Sequence, residues 1–449
     1  MKRWLAAVAL AVMCVGLFSA CGSPIGTATG TPPGGAPPGV PSGGPSGAPP
    51  GGQAPSGGGT QTETSGTAAT TFSTATTESS QTYASTKADE NAVRVEGGAT
   101  VALSDPTVNK SGDSSDTNNS DFYGMNAGIL VRDSGQLTLT GGNVTTAAAG
   151  GNGIFVYNTG STATVSGTTI RTSSNNSGGI EVAGGGTLTA ANLDIVTQGG
   201  SSAAIRSDRG GGTLTVDQGT YATNGVGSPA VYSTANVTVS NATLTANQSE
   251  AVVIEGANSV TLDHSTVVGD MTTSNGGSGE NLHSVMIYQS MSGDATNGGG
   301  SFTMSGGSLT GRSGDLFYVT NTTATIALSG VKLANGSGNL LTVAGNDGSR
   351  GWGTAGSNGG TCHFSATGQT LSGVISVDSI SSLDLSLTSG SNFTGTINPA
   401  GAAGTVAVTL SGDSTWTLTA DAYLTSFTGA TSGVTANGHH VYVDGTPIV

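Results

Sequence analysis

Ala204-Ile205-Arg206-Ser207, then Leu214-Thr215-Val216, then Thr220-Tyr221 make up one turn of a phrase that runs through most of the chain. The preceding turn reads Gly179-Ile180-Glu181-Val182, Leu188-Thr189-Ala190 and Leu193. The one before that reads Gly153-Ile154-Phe155-Val156, Ala163-Thr164-Val165 and Thr169-Ile170. The leading aliphatic residue recurs at Ile129, Ile154, Ile180 and Ile205, then as Val231 and Val252, a period of 21 to 26 residues. Within each period three short runs carry apolar residues at every second position, the pattern of half-buried strands. One such unit cannot bury a core alone, but stacked units can, and this predicts a parallel β-solenoid of about 11 to 13 coils.

Alternation assigns the faces of each strand. In the first strand Ile129, Val131, Ile154, Val156, Ile180, Val182 and Ile205 point inward and stack on like residues about 4.8 Å away in the next coil. In the second strand Leu137, Leu139, Val165, Leu188, Leu214, Val216, Val237, Val239, Val260 and Leu262 are inside. The residue between them is almost always threonine (Thr138, Thr164, Thr189, Thr215, Thr238, Thr261, Thr303), which predicts an outward threonine ladder. Threonine also favours exposed strand positions in general.

Composition agrees with a chain of strands and tight turns. Charged residues are 9% of the 449, against about 25% in an average soluble domain, and 76 residues are glycine. The net charge of −15 makes nucleic acid or an anionic membrane surface a poor partner. Cys14, Cys21 and Cys362 offer no disulfide framework, so packing and strand ladders must hold the fold. Cys362 reads as a small buried hydrophobe.

The N-terminus reads as targeting. Lys2-Arg3 precedes an apolar run, Trp4 to Phe18, too short to favour a spanning helix. It ends Leu17-Phe18-Ser19-Ala20-Cys21, which resembles a bacterial lipoprotein signal in which Cys21 becomes the lipid-bearing terminus. Phe18 stands where such signals usually carry leucine, and an ordinary secretory signal is the alternative. Residues 22–91 are rich first in Pro and Gly and then in Ser and Thr, a composition unable to bury a core, and read as a disordered linker. The solenoid is then expected over 92–449, with insertions near 109–127 and 345–362 and a C-terminal cap near 436–449. The expected setting is extracytoplasmic, on a bacterial cell membrane and held there by the N-terminal lipid.

Candidate chemistry gathers on the outward side of the first strand. One column reads Leu130, Phe155, Glu181, Arg206, Tyr232, Val253, Met286, Tyr318, and the next includes Arg132, Tyr157, Ala183, Asp208, Glu255 and Tyr288. With Arg209 and Glu250 beside them, these residues form the densest charge cluster among the repeats, flanked by rings. Rings stack on sugar faces or apolar side chains, while carboxylates and guanidinium groups bond hydroxyls. The expectation is a groove for a glycan or peptide, lined by Phe155, Tyr157, Glu181, Arg206, Asp208, Arg209, Tyr232, Glu250, Glu255 and Tyr288. The bland reading of the same residues is surface ion pairs and rings under an insertion. An enzymatic alternative uses the same patch. In a lyase Glu181, Asp208 and Glu255 would hold Ca²⁺ while Arg206 or Arg209 removes a proton; a hydrolase would need a carboxylate pair. Outside that alternative no cofactor or metal is expected, since the five histidines show no ligand spacing.

Three stretches, 201–212, 227–235 and 249–256, resemble segments of exported β-helix proteins of gut bacteria often called adhesin-like. The resemblance covers roughly Val93 to Val449. It implies a right-handed, pectate-lyase-like parallel β-helix at the cell surface. It implies no established activity and no catalytic residues. The function expected is that of a non-catalytic, monomeric surface protein that binds an extracellular glycan or a host or bacterial surface protein.

Overall fold

Ile154 pairs in parallel with Ile129 on one side and Ile180 on the other, and Ile180 pairs onward with Ile205, then Val231 and Val252. The repeated aliphatic residue therefore forms a continuous internal column, one residue per coil. The computed structural model describes residues 63–274, 281–290, 292–346, 352–401 and 404–449. Among these, the leading strand of each coil joins one parallel sheet of fifteen strands, from Thr67–Phe72 to Val434–Thr435. The second and third strands of the coils join a second parallel sheet. In two coils they run together as single twelve-residue strands, Gly186–Thr197 and Gly212–Thr223.

The core lies between the sheets, and the residues assigned to it by alternation belong to one buried hydrophobic cluster. Burying each Ile or Leu stabilises by about 1.5–3 kcal/mol. Most of the corners are turned by Gly or Asn in left-handed conformation, such as Gly184 and Asn241. Close approach of backbone also matters: a side chain on Gly179 would start 2.5 Å from the carbonyl oxygen of Ala204 in the next coil. The threonine ladder is in register from Thr138 to Thr303. Thr138, Thr164, Thr189, Thr215 and Thr238 are exposed, and Thr261 and Thr303 are half-buried. Cys362 is free and buried in the second sheet between Ala324 and Leu383.

Two boundaries and the number of coils differ from the sequence reading. The stretch read as the end of the linker already contains a coil, with strands Thr67–Phe72, Thr76–Ser79 and Thr82–Ser85 paired to the coil that follows. Its core residues are aromatic, Phe72 packing edge-on against Tyr83. The Arg94 guanidinium ties this coil down by donating to the carbonyls of Ser65, Gly66 and Thr67. This early coil and the short ones near the C-terminus bring the first sheet to fifteen strands, above the 11 to 13 coils expected. The closing element also begins earlier than 436: Ala422–Leu424, Val441–Val443 and Thr446–Pro447 form a small separate sheet. The signal sequence, Cys21 and the linker up to residue 62 lie outside the described residues.

Candidate functional site

The outward column of the first sheet forms in the expected register. Leu130, Phe155, Glu181, Arg206, Tyr232, Val253, Met286 and Tyr318 are consecutive partners on successive strands. They do not line an open groove. Phe155, Glu181, Arg206, Asp208, Tyr232, Glu250, Glu255 and Tyr288 are all buried; of the ten expected ligand residues only Tyr157 and Arg209 are partly exposed. The reason is that inserted segments lie across this face.

The first cover is the insertion that follows the strand Thr107–Lys110. It carries one helix, Thr117–Tyr123. The Asp116 carboxylate accepts from the Asn119 backbone N–H and caps its start, and Gly124 ends it at φ 67°. A side chain on Gly124 would begin 2.6 Å from Leu130 Cδ1 and 3.0 Å from the Phe155 ring, so only glycine lets the helix end sit this close to the sheet. A second cover, around Gln289 to Gly299, brings Asp294. A third comes from the described part of the insertion near 345–362, where Trp352 stacks on Tyr288 with ring centres 5.7 Å apart.

Beneath the first cover lies a closed ionic cluster. The Arg206 guanidinium, 1% exposed, meets Asp208 at 2.8 Å, Asp121 of the helix at 3.1 Å and Glu181 at 3.4 Å. Three carboxylates thus face one cation. Both Glu181 carboxyl oxygens are buried without a hydrogen-bond donor. Burial pushes the carboxyl of Glu181 well above the usual carboxylate range, against the pull of Arg206, and it raises Asp121 likewise. Burial, with help from Asp121 and Asp294, takes Asp208 to about 7. Burial disfavours the Arg206 cation, but the facing carboxylates outweigh it and hold it charged. Next along the chain, Arg209 Nε donates to Asp294 at 3.0 Å, and its guanidinium lies 4.0 Å from the centre of the Phe122 ring. Arg206 therefore fastens the first cover to this coil, and Arg209 fastens the second while touching the first through Phe122.

A second network lies under the other covers. Tyr232 and Tyr288 donate their hydroxyls to Glu255 Oε2 at 2.7 and 2.8 Å, and Ser290 donates to Oε1. Glu250 accepts from Ser249 at 2.6 Å and sits 3.3 Å from His283 Nε2. Among the described residues no group of three or more His, Cys, Asp or Glu is arranged to hold a metal ion.

Where the covers end, the same face opens. A pocket of about 380 Å³ is lined by Asn281, Leu282, Gly314, Asp315, Asn339, Thr342 and Ser376. Thr342 and Ser376 continue the outward column beyond Tyr318. Asp315 is 3% exposed, and burial raises its carboxyl. None of these residues was among the expected ligands, because charge density was the signal, and these coils bring one carboxylate among amides and hydroxyls.

Residues 106–279 match the family model described as a right-handed β-helix region. The fold is a right-handed parallel β-helix. The match spans the most regular coils of the β-helix together with the first cover. No curated protein matches the chain.

Proposed function

We propose that the chain is an exported β-helix that presents a binding surface and does not transform its ligand. The observation that carries this reading is the pocket around Asp315. There the face emerges from its covers, and two amides and two hydroxyls gather in one depression around the Asp315 carboxyl, which accepts from Asn281, Asn339 and Thr342 and holds them in place. Such a set bonds the hydroxyls of a glycan or the polar backbone of a surface protein. The charged patch supports the same reading from the other side, because Arg206, Glu181 and Asp208 are spent on one another and on Asp121. A polysaccharide has no path to these groups while the cover is closed. Lipidation at Cys21 would place the β-helix on the outer side of a bacterial membrane at the end of a tether.

The test is an array of glycans and extracellular-matrix proteins probed with the full mature chain. Binding should be lost in Asp315→Ala and in the pair Thr342→Ala with Ser376→Ala. Binding unchanged in both variants would remove the pocket from the reading. Incubation with acidic polysaccharides plus Ca²⁺ separates the enzymatic alternative. Unsaturated or shortened products that vanish in Asp208→Ala would replace the binding reading with a lyase or hydrolase. Labelling with a lipid precursor, compared with Cys21→Ala, tests the anchor.

A further inference from the structure

The ionic cluster has an imbalance that the rest of the cover lacks. Arg206, Glu181 and Asp208 sit on coils of the β-helix, whereas Asp121 sits on the inserted helix. With every group ionised, three negative charges would share one buried positive charge, and Glu181 would have no hydrogen-bond donor. A closed dry cluster of that kind is stable only if it holds protons. When protons leave, the one acidic member able to move away is Asp121. We propose that the segment from Ser111 to Asn126 is a lid closed by proton-loading of the Arg206 cluster, and that loss of those protons lifts the helix off Leu130, Phe155 and Tyr157. This device is separate from the Asp315 pocket and does not depend on it.

The groups facing Asp121 from each side are few. From the coils they are Arg206 and Asn176, with Glu181 and Asp208 beyond Arg206; from the helix's own end there is Asp116. Arg209, paired with Asp294, touches the lid through Phe122, and Asp294 adds to the field at Asp208. Four further charged groups bear on the lid. Asp89 accepts from Ser114 and Ser115; burial raises its carboxyl, but these bonds hold it below the usual range. Lys110, lowered by burial to about 8, donates to the Ser111 and Gly112 carbonyls. Glu63 accepts from the Tyr123 hydroxyl, and Asp113 of the lid accepts from the Ala149 backbone N–H. The neutral contacts include Tyr123, which meets Tyr157 edge-on at 5.5 Å, and Asn91, which donates to the Gly124 carbonyl at 2.8 Å.

The sign follows from the raised carboxyls. In the closed state Glu181 and Asp208 keep protons that hydrated carboxylates would release above about pH 4. Closure is therefore favoured on the acid side and weakens as pH rises from there through about 7, where Asp208 titrates. Each proton released on opening multiplies the opening constant by about tenfold per pH unit within that window.

Hydrogen exchange of the full mature chain reads this directly, once corrected for the intrinsic pH dependence of exchange. Protection of the amides of 117–123 should fall by about tenfold per pH unit for each proton between pH 5 and 7. Amides of 180–183 and 205–207 should stay protected, which distinguishes a lid from general unfolding. In the double variant Glu181→Gln with Asp208→Asn, one guanidinium faces one carboxylate, and the profile should be flat. A flat wild-type profile, or a double variant as steep as wild type, overturns the proposal. Infrared spectroscopy gives a second reading that needs no variant. A band from protonated carboxylic acid should be present at pH 6 and lost at pH 9, and its absence at pH 6 also overturns the proposal.

Discussion

Replacing Glu255 tests whether this carboxylate is a ligand group or an internal fastener. It accepts from Tyr232 of the preceding coil and from Tyr288 and Ser290 of the following one. In Glu255→Ala the Ser290 hydroxyl keeps a partner in Ser292 at 2.7 Å, but the two buried tyrosine hydroxyls lose the acceptor these bonds supply. A buried donor left without its acceptor costs about 1–3 kcal/mol for Tyr232, and the bond lost by Tyr288 about 0.5–1.5 kcal/mol more, so the loss is about 2–4 kcal/mol. Removing a buried charge returns part of this. The net expectation is about 2 kcal/mol for Glu255→Ala. For Glu255→Gln, which keeps one acceptor oxygen and its volume, it is about 1 kcal/mol. Tyr232→Phe alone should cost about 1–1.5 kcal/mol, and nearly nothing further in the Glu255→Ala background. Urea midpoints followed by near-ultraviolet circular dichroism and by the fluorescence of Trp352, which stacks on Tyr288, measure these differences. The reasoning fails if Glu255→Ala shifts the midpoint no more than Glu255→Gln, or if the Tyr232→Phe cost is additive in both backgrounds. Loss of ligand binding with an unchanged midpoint would make Glu255 a ligand group instead.

Three further outcomes are expected. Phe317 sits in the core between Phe302 and Phe364, with ring centres 5.7 and 5.8 Å away, so Phe317→Ala should lower stability by about 3–5 kcal/mol in the same urea assay; a loss under 1 kcal/mol would contradict this packing. Burial pushes the Cys362 thiol far above its usual range. Thiol reagents followed by peptide mapping should therefore leave Cys362 unmodified in the native chain and modify it in denaturant, and rapid native labelling would contradict its placement. Lys110, 2% exposed, donates to the carbonyls of Lys87, Ser111 and Gly112. Lys110→Met should cost about 1–3 kcal/mol and raise hydrogen exchange at the root of the first cover, while an unchanged exchange rate there would show that the lysine is dispensable.

The periodic part of the fold was readable because it is written in single residues at fixed spacing. Ile129, Ile154, Ile180 and Ile205 each decide one strand, and the pairing of Glu181 with Arg206 follows from that register alone. The early coil was missed because its inward residues are sparse and aromatic, with Phe72 and Tyr83 set in a threonine-rich stretch that resembles its neighbours in composition. Exposure of the charged column was misjudged for a different reason. Alternation says which side of a sheet a residue is on, but not what else covers that side. Two local signals for the cover were present, the Asp116 cap and Gly124 at the helix end. The partner Asp294 had no signal, since a single aspartate in a polar stretch has no period. The Asp315 pocket was hidden similarly, because its groups converge only once four coils and an inserted segment are stacked.

Arg206 reaches back to Asp121 and Arg209 reaches forward to Asp294, and each of these contacts spans 85 residues of chain. The ladder contacts of the β-helix mostly span a single coil. Contacts between distant parts of a chain form late, because a longer loop must be closed first. The ladders, which close the shorter loops, are therefore expected to form first, and Arg206 and Arg209 are both engaged only once the segment carrying Asp294 is in place. Until then the aromatic strip beneath the covers is open to water and to other chains. The contacts expected to close after the ladders are the same ones that hold the finished face shut.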